Sequence, residues 1–359
     1  GTDISGEIAQ SNGVNGVRLF YTDKNLVGGD GGEGNIIGSN SMGIEINEGT
    51  SYNEIRGNFI GVDVSGKKPL GSPHAGLALA FAHDNTIENN VISANETGIA
   101  IINEAYNNHV RNNFIGTDLS HTLNLGNQTG IQIINDSHDN QIGPGNYILF
   151  NSDTGVYIAG SETLGNRVTQ NVIEHNPGGQ IVVSTSSNWL TSPTITKATT
   201  REVVGVSLPN SEVEIYTSDL WHGGEYVKTV ATDESGAFRT TFAQDELKGK
   251  YITLLAFDAD GTTSEFSASI EPEELTLRTI PGLISPGEVS TDIRVISVNA
   301  LLAIFMLVYV GMGSTYFNEA LENYPDEFQA LFVEPVKKIL ARIFPGINKT
   351  RKYNFWRIL

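Results

Sequence analysis

Cysteine is absent from all 359 residues. That excludes a disulfide scaffold, thioether-bound haem and thiolate metal sites. Methionine and tryptophan are scarce, three of each. Positive charge is also in short supply: 22 Lys and Arg stand against 41 Asp and Glu, a formal net charge of -19. A chain this acidic does not offer the basic surface that a nucleic-acid backbone requires, so no nucleic-acid partner is expected. The deficit is uneven. The last 23 residues carry Lys337, Lys338, Arg342, Lys349, Arg351, Lys352 and Arg357 with no acid among them. The opening GTDISG has neither Met nor a charged-then-apolar leader, which reads as a mature or truncated chain.

What is abundant is repetition. Glycine is high, at 39 residues, without a collagen triplet. A Gly-apolar-x-apolar pattern recurs as GVRL at 16, GIEI at 43, GLAL at 76, GIAI at 98, GIQI at 130, GVYI at 155 and GQIV at 179. An Asn-apolar-Ile pattern recurs at 35, 58, 90, 113, 146 and 171, and Asn-x-apolar precedes it at 53, 85, 108, 140 and 166. Each repeat therefore holds three short apolar segments in fixed order. Three short strands per repeat predict a parallel β-helix, with Ile, Val and Leu stacking inside on their equivalents one coil away. The recurrent Asn is expected to stack too, its amide bonding the turns above and below. Glycine before the first strand marks a bend where a side chain would clash or φ is positive.

These repeats, with NFIGTD at 113–118 and NVISAN at 90–95, resemble the right-handed parallel β-helix repeat proteins exported by bacteria, of the wider pectate-lyase-like fold. The resemblance covers about 16–185 and implies a cell-surface protein. It speaks for fold more than for activity.

One cassette appears twice, GNFIGVDVSGKKPLGS at 57–72 and NNFIGTDLSHTLNLGN at 112–127. The gap from each Asn-apolar-Ile segment to the next Gly-apolar segment is 8, 18, 8, 17, 9 and 8 residues. The two long gaps are the cassettes, which read as corner loops inserted in alternating coils. Asp63 and Asp118 follow the strand end in each. As binding residues they would be Ca2+ ligands with loop carbonyls; as turn residues they would cap the departing loop, and the lack of further carboxylates in the cassettes favours the turn. No other cofactor is indicated.

A polysaccharide lyase or glycoside hydrolase on this fold needs clustered bases or paired carboxylates. Arg18, Arg56, Arg111 and Arg167, and Glu45, Glu54, Glu88, Glu104 and Glu174, are instead spread over repeat positions. His83-Asp84 and His138-Asp139 offer a base beside an orienting acid, yet adjacent side chains on a turn are expected to diverge. No aromatic row stands out, although Tyr106 and Tyr147 are candidate sugar contacts. The expectation is no enzyme activity.

The segments after 188 alternate as half-buried strands between DESG and DADG turns, and predict an Ig-like β-sandwich similar to the modules of bacterial surface proteins. Val295–Phe317 then runs 23 residues without charge, long enough to cross a bilayer, and 327–344 has the spacing of an amphipathic helix. The expected organisation is a β-helix over 1–187, the Ig-like β-sandwich over 188–272, a linker over 273–294, a transmembrane helix over 295–317 and a cytoplasmic amphipathic and basic tail over 318–359. Within the span, Asn299, Gly311 and Gly313 are candidate helix contacts. This mainly β fold class with C-terminal helices implies a non-catalytic, membrane-anchored subunit of a bacterial membrane complex. Its domains would lie outside and its C-terminus in the cytoplasm. Its partners would be other membrane-protein subunits and membrane lipid, with a surface glycan as a further candidate. The alternatives are a cell-surface adhesin and, behind it, a surface-anchored carbohydrate-active enzyme.

Overall fold

A computed structural model describes residues 1–184, 190–220, 223–243 and 246–274. They belong to one compact unit, Gly1–Thr276; a second, Leu277–Leu359, lies outside the described residues.

Three parallel sheets wind up the first part of the chain. The first stacks Asn15–Phe20, Met42–Asn47, Ala75–Ala80, Thr97–Ile102, Thr129–Ile134, Thr154–Ala159 and Gly179–Ser184, in sequence order. The second stacks six strands from Leu26–Gly28 to Arg167–Val168, and the third begins with six more from Ile36–Ile37 to Val172–Glu174. Each strand pairs with its equivalent one coil away, which makes a parallel β-helix. Register keeps like with like. Ile44, Leu77, Ile99, Ile131, Val156 and Ile181 form one interior row, and Ile60, Ile92, Ile115, Ile148 and Ile173 another. All belong to one buried apolar cluster. β-Branched side chains hold one χ1 well and stack without gaps, which suits a narrow interior.

The corners are held by asparagine. Asn25, Asn53, Asn85, Asn108, Asn140 and Asn166 form one ladder, each taking the backbone N–H of the preceding member on its own Oδ1. Asn35, Asn58, Asn90, Asn113, Asn146 and Asn171 form a second in the same way. A left-handed residue precedes nearly every member, as Lys24, Tyr52, Asp84, Asn107 and Asp139 do in the first ladder, turning the chain so that the amide faces inward. The repeat glycines other than Gly179, which has φ 139°, serve close approach rather than positive φ: a Cβ on Gly98 would lie 2.5 Å from the Gly130 carbonyl and 2.9 Å from Asn127 Nδ2.

A third ladder runs through Asn95, Asn127, Asn151 and Asn176. One step earlier it is broken. Ser72 stands where Asn would, and Asn40 Nδ2 and Ser72 Oγ are both buried without a hydrogen-bond partner. Restoring the rung should therefore stabilise the coil. Ser72→Asn is expected to gain about 1 kcal/mol, seen as a higher melting temperature; a lower one would mean that the corner has no room for the amide.

The last coil is capped. Thr194–Thr199, Glu202–Val206 and Ala237–Thr241 form an antiparallel sheet that packs on Glu212–Ser218, Gly224–Ala231 and Tyr251–Phe257 through Ile195, Val203, Phe238, Val213, Ile215, Ile252 and Leu254. The second of these sheets is continuous with the coil, because Gly224–Ala231 pairs antiparallel with Val172–Glu174. Thr263 closes the next edge: its Oγ1 receives the Val168 N–H at 2.8 Å and donates to the Asn166 carbonyl at 2.9 Å. Buried Glu214 accepts from Thr169 Oγ1 at 2.5 Å, the Gln170 N–H at 3.1 Å and Tyr216 Oη at 2.6 Å. Arg167 stacks over Phe257 at 4.1 Å and pairs with Glu212. The sandwich thus covers strand edges that would otherwise recruit other chains. The alternating segment 264–270 makes only isolated bridges. Ser264 and Ser267 hydroxyls take the Ala256 and Leu254 N–H groups there, so pairing runs partly through side chains.

The expected C-terminal helices require correction. The described residues form strands and turns without a helix, and none among them is long and apolar enough to cross a membrane. The fold is mainly β. The span at 295–317, with Asn299, Gly311 and Gly313, and the amphipathic stretch at 327–344 lie outside the described residues. An uncharged run reports only that a segment tolerates leaving water, not that lipid receives it. The membrane anchor, the membrane-subunit and lipid partners and the cytoplasmic C-terminus rested on that run and on the amphipathic, basic tail after it, and are set aside.

Candidate functional site

The corner cassettes occur three times, not twice. Gly1–Asn12, Gly61–Ser72 and Gly116–Asn127 enter the first, third and fifth coils in the same way. In each, an aspartate two residues after the glycine organises the loop. Asp118 accepts from Ser120 Oγ at 2.6 Å and from the Thr122 and Leu123 N–H groups at 3.1 and 3.0 Å. Asp63 accepts from Ser65 Oγ at 2.6 Å and from the Lys67 and Lys68 N–H groups, both at 3.1 Å. Asp3 repeats this with Ser5 Oγ and the Ile8 N–H. The sequence signal for the third copy is GTDIS at 1–5, which matches GVDVS at 61–65 and GTDLS at 116–120.

Three residues on, Gly6, Gly66 and His121 all adopt φ between 48° and 72°. That turn folds each loop back over the third sheet. Gly66 faces the Phe59 ring, and the His121 ring stacks on Tyr147 at 4.5 Å, with Phe114 on the other side of Tyr147 at 5.5 Å. The first two loops also touch: Gly6 O accepts the Val64 N–H at 3.0 Å, and Lys68 Nζ lies 3.5 Å from Glu7.

Asp63 and Asp118 are buried. Burial pushes the Asp118 carboxyl up, and the Ser120, Leu123 and Thr122 donors outweigh it, leaving it below its ordinary value of 3.8. Asp63 is shifted the same way by burial against Ser65, Lys68 and Lys67 donors and the Lys68 charge. A carboxyl depressed in the fold adds stability that is present above 3.8 and lost as pH falls through the lower folded value. Asp118→Asn is therefore expected to melt lower at pH 7 and to lose less on acidification below pH 4 than the parent. Parallel acid curves would contradict this.

The His-Asp pairs do meet: His83 Nδ1 lies 2.8 Å from Asp84 Oδ2, and His138 Nδ1 lies 2.8 Å from Asp139 Oδ2. The left-handed backbone at Asp84 and Asp139 swings each carboxylate back onto its neighbour. The rings also form a row that the sequence reading did not find. His83, Tyr106 and His138 stack at 4.7 and 5.3 Å, nearly parallel, and Tyr52 meets His83 edge-on at 6.4 Å. Tyr106 thus lies between two imidazoles and offers neither face to a sugar, while Tyr147 stacks with both Phe114 and His121. Arg111 pairs with Glu88 at 2.8 Å, and Arg56 with Asp30 and Glu54 at 3.5 and 3.6 Å, so the repeated arginines link neighbouring strands and turns.

With this geometry in place, a family model described as periplasmic copper-binding protein (NosD) matches residues 4–202, more than half of the chain. The chain belongs to the NosD family. This replaces the expected kinship with membrane-anchored bacterial surface proteins, drawn from the NFIGTD and NVISAN repeats, and keeps its parallel β-helix fold. NosD membership covers the β-helix and the first sandwich strand. The family is described by binding rather than by a reaction, in keeping with a non-enzymatic chain. No curated protein matches it. Among solved structures it is similar to the full-length tailspike protein 2 from Escherichia coli O157:H7 bacteriophage CAB120. Identity is 11% and the TM-score 0.25, over 72% of this chain and 46% of the tailspike; a likeness of that size decides nothing.

The family description raises copper, and the donors can be tested against it. Copper favours thiolate, thioether and imidazole ligands. The chain has no cysteine. His83 and His138 are two coils apart with Tyr106 between them, His121 lies on Tyr147, and His175 stacks on Phe150 at 4.8 Å. Among the described residues no group of three or more His, Cys, Asp or Glu could hold a metal. The donor set there does not fit copper, and the same absence bears on calcium at the Asp63 and Asp118 loops.

Proposed function

We propose that this NosD-family chain is a non-catalytic, extracytoplasmic binding scaffold. Its β-helix would present outward corners to a partner, as a surface adhesin does. The observation that supports this most is where its polar groups go. Most buried amides of the coil are spent on three ladders and the cassette aspartates mainly on their own loops, with Asn40 Nδ2 and Asp63 Oδ2 the buried exceptions. What is left for recognition is therefore the outer surface. The family's periplasmic description favours a place outside the cytoplasm, and an acidic, cysteine-free chain folds there without oxidation.

The cassettes are part of that surface. Leu119 and Leu123 on one tip and Val64 on another are exposed. We place Asp63 and Asp118 behind these tips as the residues that shape them. Cell fractionation tests the reading: the full chain should be released by osmotic shock or be open to protease on intact cells. Recovery only with a cytoplasmic marker would overturn it.

A further inference from the structure

The corner between the first and second sheets differs from the other two. Tyr21, Glu48 and Phe81 take equivalent places on the first three coils, as the register Phe20–Asn47–Ala80 requires. All three have left-handed φ, 50°, 56° and 52°, which turns their side chains out at the bend. Tyr21 is 72% exposed and Phe81 44%. Beside them Tyr52 is 57% exposed, and Asp84 lies next to His83. Exposed rings normally gather where something binds.

The spacing adds chemistry. Coils are about 4.8 Å apart, so Tyr21 and Phe81 stand two coils, about 10 Å, apart along the corner with Glu48 on the coil between. Glu48 Oε2 accepts from Tyr21 Oη at 3.3 Å, and no ion pair with Glu48 occurs among the described residues. A cation at that carboxylate meets the hydroxyl end of Tyr21 with Phe81 one coil on, and an ammonium or guanidinium is drawn to an aromatic face within about 6 Å. Asp23 and Asp84 add negative charge along the same corner; Lys24 lies 3.7 Å from Asp23, and Arg18, paired with Glu45, sits over the Phe20 ring that packs on Tyr21. Ring, carboxylate, ring on successive coils complements a planar cation better than it does a neutral sugar.

We infer that this corner docks a basic segment of a partner protein, with an arginine seated between Tyr21 and Phe81 over Glu48. This rests on the binding-scaffold reading and names its partner. The stacked His83, Tyr106 and His138 rings continue the corner away from the site and hold the bend in place.

The test uses the full chain and a ten-residue peptide of alternating Arg and Gly, titrated by calorimetry at physiological salt, with an alternating Glu and Gly peptide as control. Saturable one-to-one binding of the Arg peptide alone is expected, weakened at least tenfold by Phe81→Ala, by Tyr21→Ala and by Glu48→Gln. Glu162→Gln, which removes an exposed acid from a later coil, should leave it unchanged. Unchanged melting curves show that the variants fold. No saturable binding would overturn the inference. So would binding that ignores Phe81→Ala and falls equally with Glu48→Gln and Glu162→Gln, since that is attraction to net charge alone. A cytoplasmic location would sink the scaffold reading without altering this titration, so the two fail separately.

Discussion

Asn113→Ala is expected to destabilise the protein by about 4 kcal/mol, as is alanine at Asn85, Asn90 or Asn108, which are as buried and as fully bonded. Asn113 is fully buried. Its Oδ1 accepts the N–H and the amide of Asn90, both at 3.0 Å. Its Nδ2 donates to the carbonyls of Ile87 at 2.9 Å and Arg111 at 3.0 Å, and to Asn146 Oδ1 at 3.1 Å. Alanine deletes all five bonds and strands donors and acceptors on both neighbouring coils. Each buried group left unsatisfied costs about 1–3 kcal/mol, more than the bond itself contributes on average. Asn25→Ala provides the contrast. That residue is partly exposed at the first coil, so water can replace what is lost, and about 1 kcal/mol is expected. Urea unfolding of both variants decides the matter; equal losses would show that the ladder is not what holds the corner.

Glu214→Ala is expected to cost about 3 kcal/mol and to loosen the sandwich from the coil. The carboxylate is completely buried at the junction, where it receives Thr169, Gln170 and Tyr216. Burial, then the Glu214 charge and the hydrogen bond given to it, push the Tyr216 phenol well above its ordinary value. Tyr216 thus stays a donor across any working pH. With alanine, the Thr169 hydroxyl, the Gln170 N–H and the Tyr216 hydroxyl lose their shared acceptor together. Calorimetric melting should change from one transition to two, with Glu214→Gln intermediate because its amide keeps one acceptor. A single transition at the parent temperature would contradict the latch.

Much of this architecture is legible in the chain. The Gly-apolar and Asn-apolar-Ile spacings mark the strands, because a stacked coil demands the same residue at the same place each turn. The long gaps at 61–72 and 116–127 mark the corner loops. Other features are hidden for definite reasons. The ring row His83–Tyr106–His138 stands two residues before Asn85, Asn108 and Asn140, but it mixes residue types, so the repeat places the positions without announcing the rings. The His-Asp contacts depend on left-handed backbone that a turn motif does not specify. The sandwich has the alternation of a free module, yet Thr263 and Glu214 make it the coil's cap, through partners some 45 to 97 residues away. The broken rung at Ser72 shows only when its neighbours are aligned in space.

Hydrogen exchange on the full chain tests most directly the central claim, that coil and sandwich form one rigid scaffold with its polar groups consumed inside. The account predicts that the amides of Asn85, Asn90, Asn108 and Asn113 exchange as slowly as those of Val213, Ile215 and Val168, all through one cooperative opening. Sandwich amides that exchange through a separate, faster opening while the coil stays protected would contradict it.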